Sequence, residues 1–356
     1  MNKIIPLFMT ACVAVSLPVA ADNFSVERRM AAHGPEVVLR DAAAHTTAVV
    51  LPQAGFNCWR FTLAQPGAAP VEFLAGPADP AALATGGSGF GWPILFPFPN
   101  RVAKGEFTFG GKTCRFPLRP GMGHAIHGFA NTQPWRVTAT GTRDGASVTG
   151  VTDTDSNPAL KQHWPWPCRL TVTYTLNGLT LTMTAVAENL GKEPMPFGFG
   201  IHPYHPLPLT AAGSRAACEI KVPCQEQMEL TPDCIPTGKR LPATTWRDFR
   251  ALGTNTLDDV FTTTTVEANG SACVLRDPAA QWEVTMRADA AFRHWVVYAP
   301  GKRSVVCFEP YTCVTDAFNL YARGVSDTGF ATLAPGQPWR GTVTMSVRQT
   351  SPTREK

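Results

Sequence analysis

Along LTVTYTLNGLTLTMTAVAEN, residues 170 to 189, apolar side chains fall at 170, 172, 174 and 176, and then at 179, 181, 183 and 185. A period of two is the mark of a strand with one buried face. The phase breaks across Asn177-Gly178, a pair that readily takes the positive φ angles of a type I′ turn, so the pattern predicts a two-residue hairpin. Similar punctuation recurs at Gly110-Gly111, Asp144-Gly145 and Asn269-Gly270, beside short β-rich segments such as Phe107 to Phe109 and Cys273 to Leu275. No long window sustains a 3.6-residue apolar period, and the 32 prolines cut most candidates short. Helix is expected only as a turn or two near Pro80 to Leu83 and Trp246 to Leu252. Many short strands joined by tight turns predict an all-β chain, a large antiparallel β-sandwich with little helix. With no linker and no internal repeat, residues 22–348 read as a single domain and 349–356 as a frayed tail.

The first residues break this pattern. MNKIIPLFMTACVAVSLPVAA carries Lys3, an apolar run and two small residues at its end, the layout of a secretory signal peptide over residues 1–21. Pro6 and Pro18 interrupt a run already short of the roughly 20 residues that span a bilayer, so a stable membrane span is not expected. The expected location is therefore the periplasm or the exterior. Cys12 follows too short an apolar run to read as a lipidation site.

Composition excludes other classes. The 356 residues are 44% hydrophobic and 16% charged, with a formal net charge of +4 that drops by one if Lys3 leaves with the leader. That near-neutral balance, without a basic block, argues against a nucleic-acid partner. Beyond Cys12, nine cysteines are scattered without a CxxC pair, which excludes a zinc ribbon or a thioredoxin-like site. In an oxidising compartment some would pair, and Cys218, Cys224 and Cys234 are close enough in sequence for a local staple.

Candidate chemistry rests on histidines and carboxylates. Two pairs stand in GHAIHGF (His124, His127) and GIHPYHP (His202, His205). Residues three apart on a strand point to opposite faces, so at most one of each pair should face a common site, and a metal is not expected. Glu309 ends an apolar run, SVVCFEP, just before Pro310. Read alone it fits equally a proton-transferring base, its pKa raised by burial, or a salt-bridged strand end. Asp258 in NTLDDVF and Arg101 in FPFPNRV could grip hydroxyls or simply face solvent. There is no G-x-S-x-G, no glycine-rich phosphate loop and no nicotinamide fingerprint, so acid–base work without a cofactor is the chemistry best supported.

Taken together, PNRVAKGEFTFGGKTCRFP, AIHGFANTQPW, GFGIHPYHPLPL, LDDVF and FEPYTCVTDAFN followed by APGQPW resemble, in order, the aldose 1-epimerases (galactose mutarotases). The resemblance implies a β-sandwich that interconverts the α and β anomers of an aldohexose by opening and closing the ring, without cofactor or metal. It implies Glu309 as base on the anomeric hydroxyl and His202 as acid on the ring oxygen. It implies Arg101, His127 and Asp258 as sugar-binding groups. Trp92, Phe129 and Tyr204 are candidates to stack on the sugar. Departures from the galactose enzymes, such as AIHGF without a second glycine after His-Gly, leave the sugar open. Three rival readings keep the site but change its use: a non-catalytic carbohydrate-binding module, a metal-dependent cupin-like enzyme, and a glycoside hydrolase or lyase with paired carboxylates. Oligomeric state is not readable.

Overall fold

The computed structural model describes residues 23–262, 267 and 270–351. The leader, Asn269 and most of the tail lie outside the described residues. Among the described residues three large antiparallel sheets and three two-stranded ladders carry the chain. A five-stranded sheet takes Phe24–Ala31, Gly34–Asp41, Thr46–Leu51, Asn57–Leu63 and Val71–Glu72 in sequence order. A nine-stranded sheet centres on Cys168–Asn177, Thr180–Asn189, Pro338–Gln349 and Trp282–Ala288. An eight-stranded sheet places Val305–Tyr311 between His294–Ala299 on one side and the short strands Gly200–Ile201 and Tyr204–Pro206 on the other.

The period-two stretch forms the heart of the nine-stranded sheet. Leu170, Val172, Tyr174 and Leu176 are fully buried opposite Ala187, Ala185, Met183 and Leu181, and the threonines between them face outward. Each large apolar side chain so buried contributes about 1.5–3 kcal/mol, which outweighs the local preference of the turn. The turn differs from the one expected. Asn177 pairs with Thr180, so Gly178 and Leu179 form the loop. Gly178 has φ 59° while Leu179 keeps negative φ, the residue pattern of a type II′ turn rather than type I′. The neighbouring sheet holds it there: Gly178 N donates to the Asp41 carboxylate at 2.7 Å, and the Thr46 hydroxyl donates to the Gly178 carbonyl at 2.9 Å. A register moved by two residues keeps every apolar side chain on its face.

Gly110 and Gly111 join Glu106–Phe109 to Lys112–Arg115 with φ 58° and 76°, a hairpin as expected. Helix is scarce, and of the two expected places only the one near Pro80 to Leu83 carries it. A short helix covers Ala82–Thr85, while Trp246 to Leu252 contains a turn and the edge strand Arg250–Ala251. Two further short helices, Pro158–His163 and Ala317–Ala322, were not expected. The first has its signals in the sequence: the Asn157 side chain accepts from the amides of Ala159 and Leu160, and Pro158 opens the helix. Among the described residues all nine cysteines from Cys58 to Cys313 are free and all but Cys234 are buried, so Cys218, Cys224 and Cys234 do not form the local staple that their spacing allows. None of the described helices is long and apolar enough to cross a membrane.

Candidate active site

Strand Val305–Tyr311 delivers Glu309 to the floor of a cavity of about 560 Å³. The strand does not stop at Glu309 as expected but runs through Pro310, which pairs with Trp295 on one side. On the other side only Gly200 pairs across from Tyr311 before the ladder resumes at Cys307, and a residue without an amide hydrogen is tolerated in such a gap. The continuation matters because Tyr311 then shares a face with Glu309. Its hydroxyl donates to Glu309 Oε2. The other carboxylate oxygen, Oε1, lies 3.2 Å from His202 Nε2.

Glu309 is 1% exposed. Burial pushes its pKa well above the usual carboxylate range, opposed by the Tyr311 hydrogen bond. Burial lowers His202 to about 3, and the Arg303 and Arg101 cations push it the same way. Both shifts favour neutral forms, so the pair holds one proton in common rather than two separate charges. His202 stacks on Tyr204 with ring centroids 4.6 Å apart, and Tyr204 is anchored by its hydroxyl to the Ser88 carbonyl.

Arg101 and His127 come from the neighbouring two-stranded ladder, where Arg101 pairs with Ile126. Asn100 (φ 51°) and His127 (φ 67°) both adopt the left-handed region, and the His127 amide donates to the Asn100 carbonyl at 2.9 Å. Each such residue costs on the order of 1 kcal/mol or more and persists where surrounding structure imposes it. Gly128 (φ 62°) is part of that imposition, since a Cβ there would meet the Phe96 carbonyl oxygen at 2.2 Å. Gly128→Ala is expected to destabilise the fold by about 3 kcal/mol, read as a lowered denaturant midpoint, because backbone rather than a flexible side chain would have to yield.

Arg101 Nη2 contacts Asp258 Oδ2 at 3.3 Å, and its Nη1 donates to Asn100 Oδ1 at 3.0 Å. Asp258 pairs with Tyr298 across strands Leu257–Thr262 and His294–Ala299, and both line the cavity. Asp259, next along the strand, does not line it. Thus Glu309, His202, Arg101, His127 and Asp258 all reach one cavity. One histidine of each pair does so. His124 Nδ1 instead accepts from the Lys104 amide, and buried His205 faces the Phe73 carbonyl. Arg101 Nε, His127 Nδ1 and His202 Nδ1 are buried without a hydrogen-bond partner among the described residues, a set of polar positions that a polyol can satisfy. Of the three aromatic candidates only Tyr204 lines the cavity; Trp92 lies in the core and Phe129 packs on Phe98, Phe116 and His163.

The family model described as aldose 1-epimerase matches residues 42–346. The chain belongs to the aldose 1-epimerase family. Over 235 residues it is 26% identical to the protein YihR of Escherichia coli K12, covering 64% of this chain and 71% of YihR. A galactose mutarotase-like protein from Clostridium acetobutylicum superposes with a TM-score of 0.82 at 22% identity, covering 93% of this chain and all of that one. Galactose 1-epimerase from Lactobacillus acidophilus NCFM superposes with a TM-score of 0.70 at 16% identity, covering 92% and 99%. These likenesses carry the antiparallel β architecture.

Within this aldose 1-epimerase family chain, several residues of the site were not singled out from sequence: Arg119, Arg303 and Tyr298, which line the cavity, and buried Tyr311 and Cys307, which stand against Glu309. Pro310 hid Tyr311, because a proline after an apolar run reads as the end of a strand. His202, Cys307 and Glu309 each bring one donor atom within 4.8 Å of the others. Burial and the neighbouring Glu309 push the Cys307 thiol well above its usual value, and the Glu309 oxygens already face Tyr311 and His202. A protonated thiol and an engaged carboxylate fit a cation poorly, since the thiolate is the metal ligand.

Proposed function

We propose that the protein is an aldose 1-epimerase in activity as well as in family, acting on the anomeric carbon of an aldose. The observation that carries the reading is the buried Glu309–His202 contact at 3.2 Å inside a cavity with unsatisfied polar donors and acceptors. Ring opening requires a proton to leave the anomeric hydroxyl while another reaches the ring oxygen. In this reading Glu309 takes the first, the bond from carbon 1 to the ring oxygen breaks, and His202 supplies the second. After rotation about the bond between carbons 1 and 2, the hydroxyl on carbon 5 adds to the other face of carbon 1. His202 then recovers its proton and Glu309 returns the other. One proton shared by the pair is the inventory this exchange needs, and nothing is oxidised or reduced. Arg101 and Asp258 hold hydroxyls through charge-assisted bonds, and His127 supplies a neutral ring, its pKa held well below the usual value by burial. Export by residues 1–21 belongs to the same proposal.

Polarimetry or NMR of freshly dissolved α-glucose and α-galactose tests the activity. Faster equilibration of anomers than in buffer is expected; a folded protein that leaves both at the spontaneous rate, together with other aldoses, overturns the reading. The cluster of His202, Cys307 and Glu309 gives the metal-dependent alternative its one specific support. Treatment with a chelator is expected to leave the rate unchanged; loss of activity with chelator, regained on adding a divalent ion, would favour that alternative.

A further inference from the structure

Charge in the cavity is out of balance. Three guanidinium groups line it, from Arg101, Arg119 and Arg303, against two carboxyl groups, Asp258 and Glu309. Asp258 is taken by Arg101, and Glu309 is drawn toward its protonated form by burial. Among the described residues neither Arg119 nor Arg303 forms a salt bridge to a carboxylate. Arg303 is nonetheless held in place: its Nη2 donates to the Gly89 carbonyl at 2.9 Å, and its Cζ lies 4.9 Å from the centroid of the Tyr204 ring. Tyr204 in turn stacks on His202. Arg119 sits in the turn where its own amide donates to the His124 carbonyl, and its side chain faces the same cavity.

We infer that the sugar accepted here carries an anionic group next to its ring oxygen, as a hexuronate does at carbon 6, and that Arg303 and Arg119 receive it. The placement rests on the mutarotase reading, in which His202 meets the ring oxygen. Carbon 5 is bonded to that oxygen and bears carbon 6, so a carboxylate there lies on the His202 side of the ring, toward the Tyr204–Arg303 stack. Two guanidiniums on one cavity, neither of them paired with a protein carboxylate, are ready receptors for such an anion, and an excess of positive charge in a cleft raises the local concentration of anionic ligands.

The same arrangement bears on catalysis. Arg303 disfavours a positive charge on His202, which is the charge an acid must carry before it protonates the ring oxygen. A carboxylate bound between the cavity and Arg303 offsets that field and restores proton affinity to His202. An anionic substrate would therefore assist the step it undergoes, whereas a neutral hexose would leave His202 facing an unbalanced cation. The cavity, at about 560 Å³, is joined by a second lobe of about 240 Å³ that shares Ser88 and Arg119, so a substituent at carbon 6 has room.

The test compares kcat/KM for D-glucuronate with that for D-glucose and D-galactose, using the full chain and NMR detection of anomer exchange. The native protein is expected to prefer glucuronate by about tenfold or more, and 0.5 M added salt, which shortens electrostatic range, should shrink that ratio. In Arg303→Gln the ratio should fall severalfold or more, through both KM and kcat. Arg119→Gln alters an exposed side chain, so it reads the same ratio should loss of the Gly89 contact unfold the first variant. A native protein that turns over glucose as well as or better than glucuronate overturns the inference, as does an unchanged ratio in both variants. If no sugar is turned over, the activity reading fails by itself, and equilibrium titration of the folded protein still decides this one. Tighter binding of glucuronate than glucose, lost in the variants, upholds it, and equal binding overturns it.

Discussion

Glu309→Gln is expected to slow anomer exchange by about 10²- to 10⁴-fold, the usual contribution of a positioned base, while making the protein more stable at neutral pH. The amide is isosteric with the carboxyl group and keeps both contacts. Tyr311 can still donate to its oxygen, and its nitrogen can donate to neutral His202, which lie against the two Glu309 oxygens now. What it removes is a buried ionisable group. The folded-state pKa of Glu309 lies above its unfolded value, so between those two values the native state binds the extra proton. Stability tied to this group is therefore complete below the unfolded pKa, near 4.5, and is lost as pH rises through the folded one. Thermal melts should show native protein and variant equal in strong acid, with the variant ahead at pH 7. A variant less stable than the native chain at pH 7 would contradict a net cost of burying this ionisable group. A variant that keeps full activity would remove Glu309 from the chemistry.

His202→Asn should also cost about 10²-fold or more, and its pH profile should distinguish an acid from a residue that merely packs on Tyr204. In the native protein the active form carries one proton on the pair. Acidification through about 3, where His202 gains its proton with Glu309 already protonated, adds a second and should stop the reaction. Rising pH removes the last proton as it passes the raised pKa of Glu309, so activity should fall on that side at a pH above the ordinary carboxylate range. The variant should lack the acid limb near pH 3 that His202 provides. An acid limb unchanged in the variant would assign it to another group.

How far the sequence reached depended on whether a feature was local. The alternation over residues 170–189 was legible because each side chain's face follows from parity alone, and the structure kept that parity even where the turn shifted. The turn type was not legible, since Asp41 and Thr46, more than 130 residues away, hold Gly178. The spacing rule anticipated that at most one histidine of each pair would face a common site, and the resemblance pointed to His127 and His202; those two line the cavity while His124 and His205 turn elsewhere. Nothing local announced that Asn100 and His127, neither of them glycine, would take left-handed backbone. That conformation is imposed by the ladder between Arg101–Val102 and Ala125–Ile126 and by the close approach of Gly128 to Phe96. A helical turn was expected near Trp246 to Leu252, yet Trp246 and Leu252 are buried in the core while Arg250 and Ala251 extend as an edge strand, so tertiary contacts overrode a weak local signal.

The unpaired thiols give the chain a set of internal clocks. Burial holds Cys58, Cys168, Cys218, Cys224 and Cys313 up at about 12, and thiols in that state neither ionise nor meet reagent while the sheets stay closed. They are distributed through different strands and loops, whereas half-exposed Cys234 sits within reach of solvent. Alkylation of the folded protein therefore begins at Cys234, and the order in which the others follow maps which parts of the molecule breathe first and which open only with the whole.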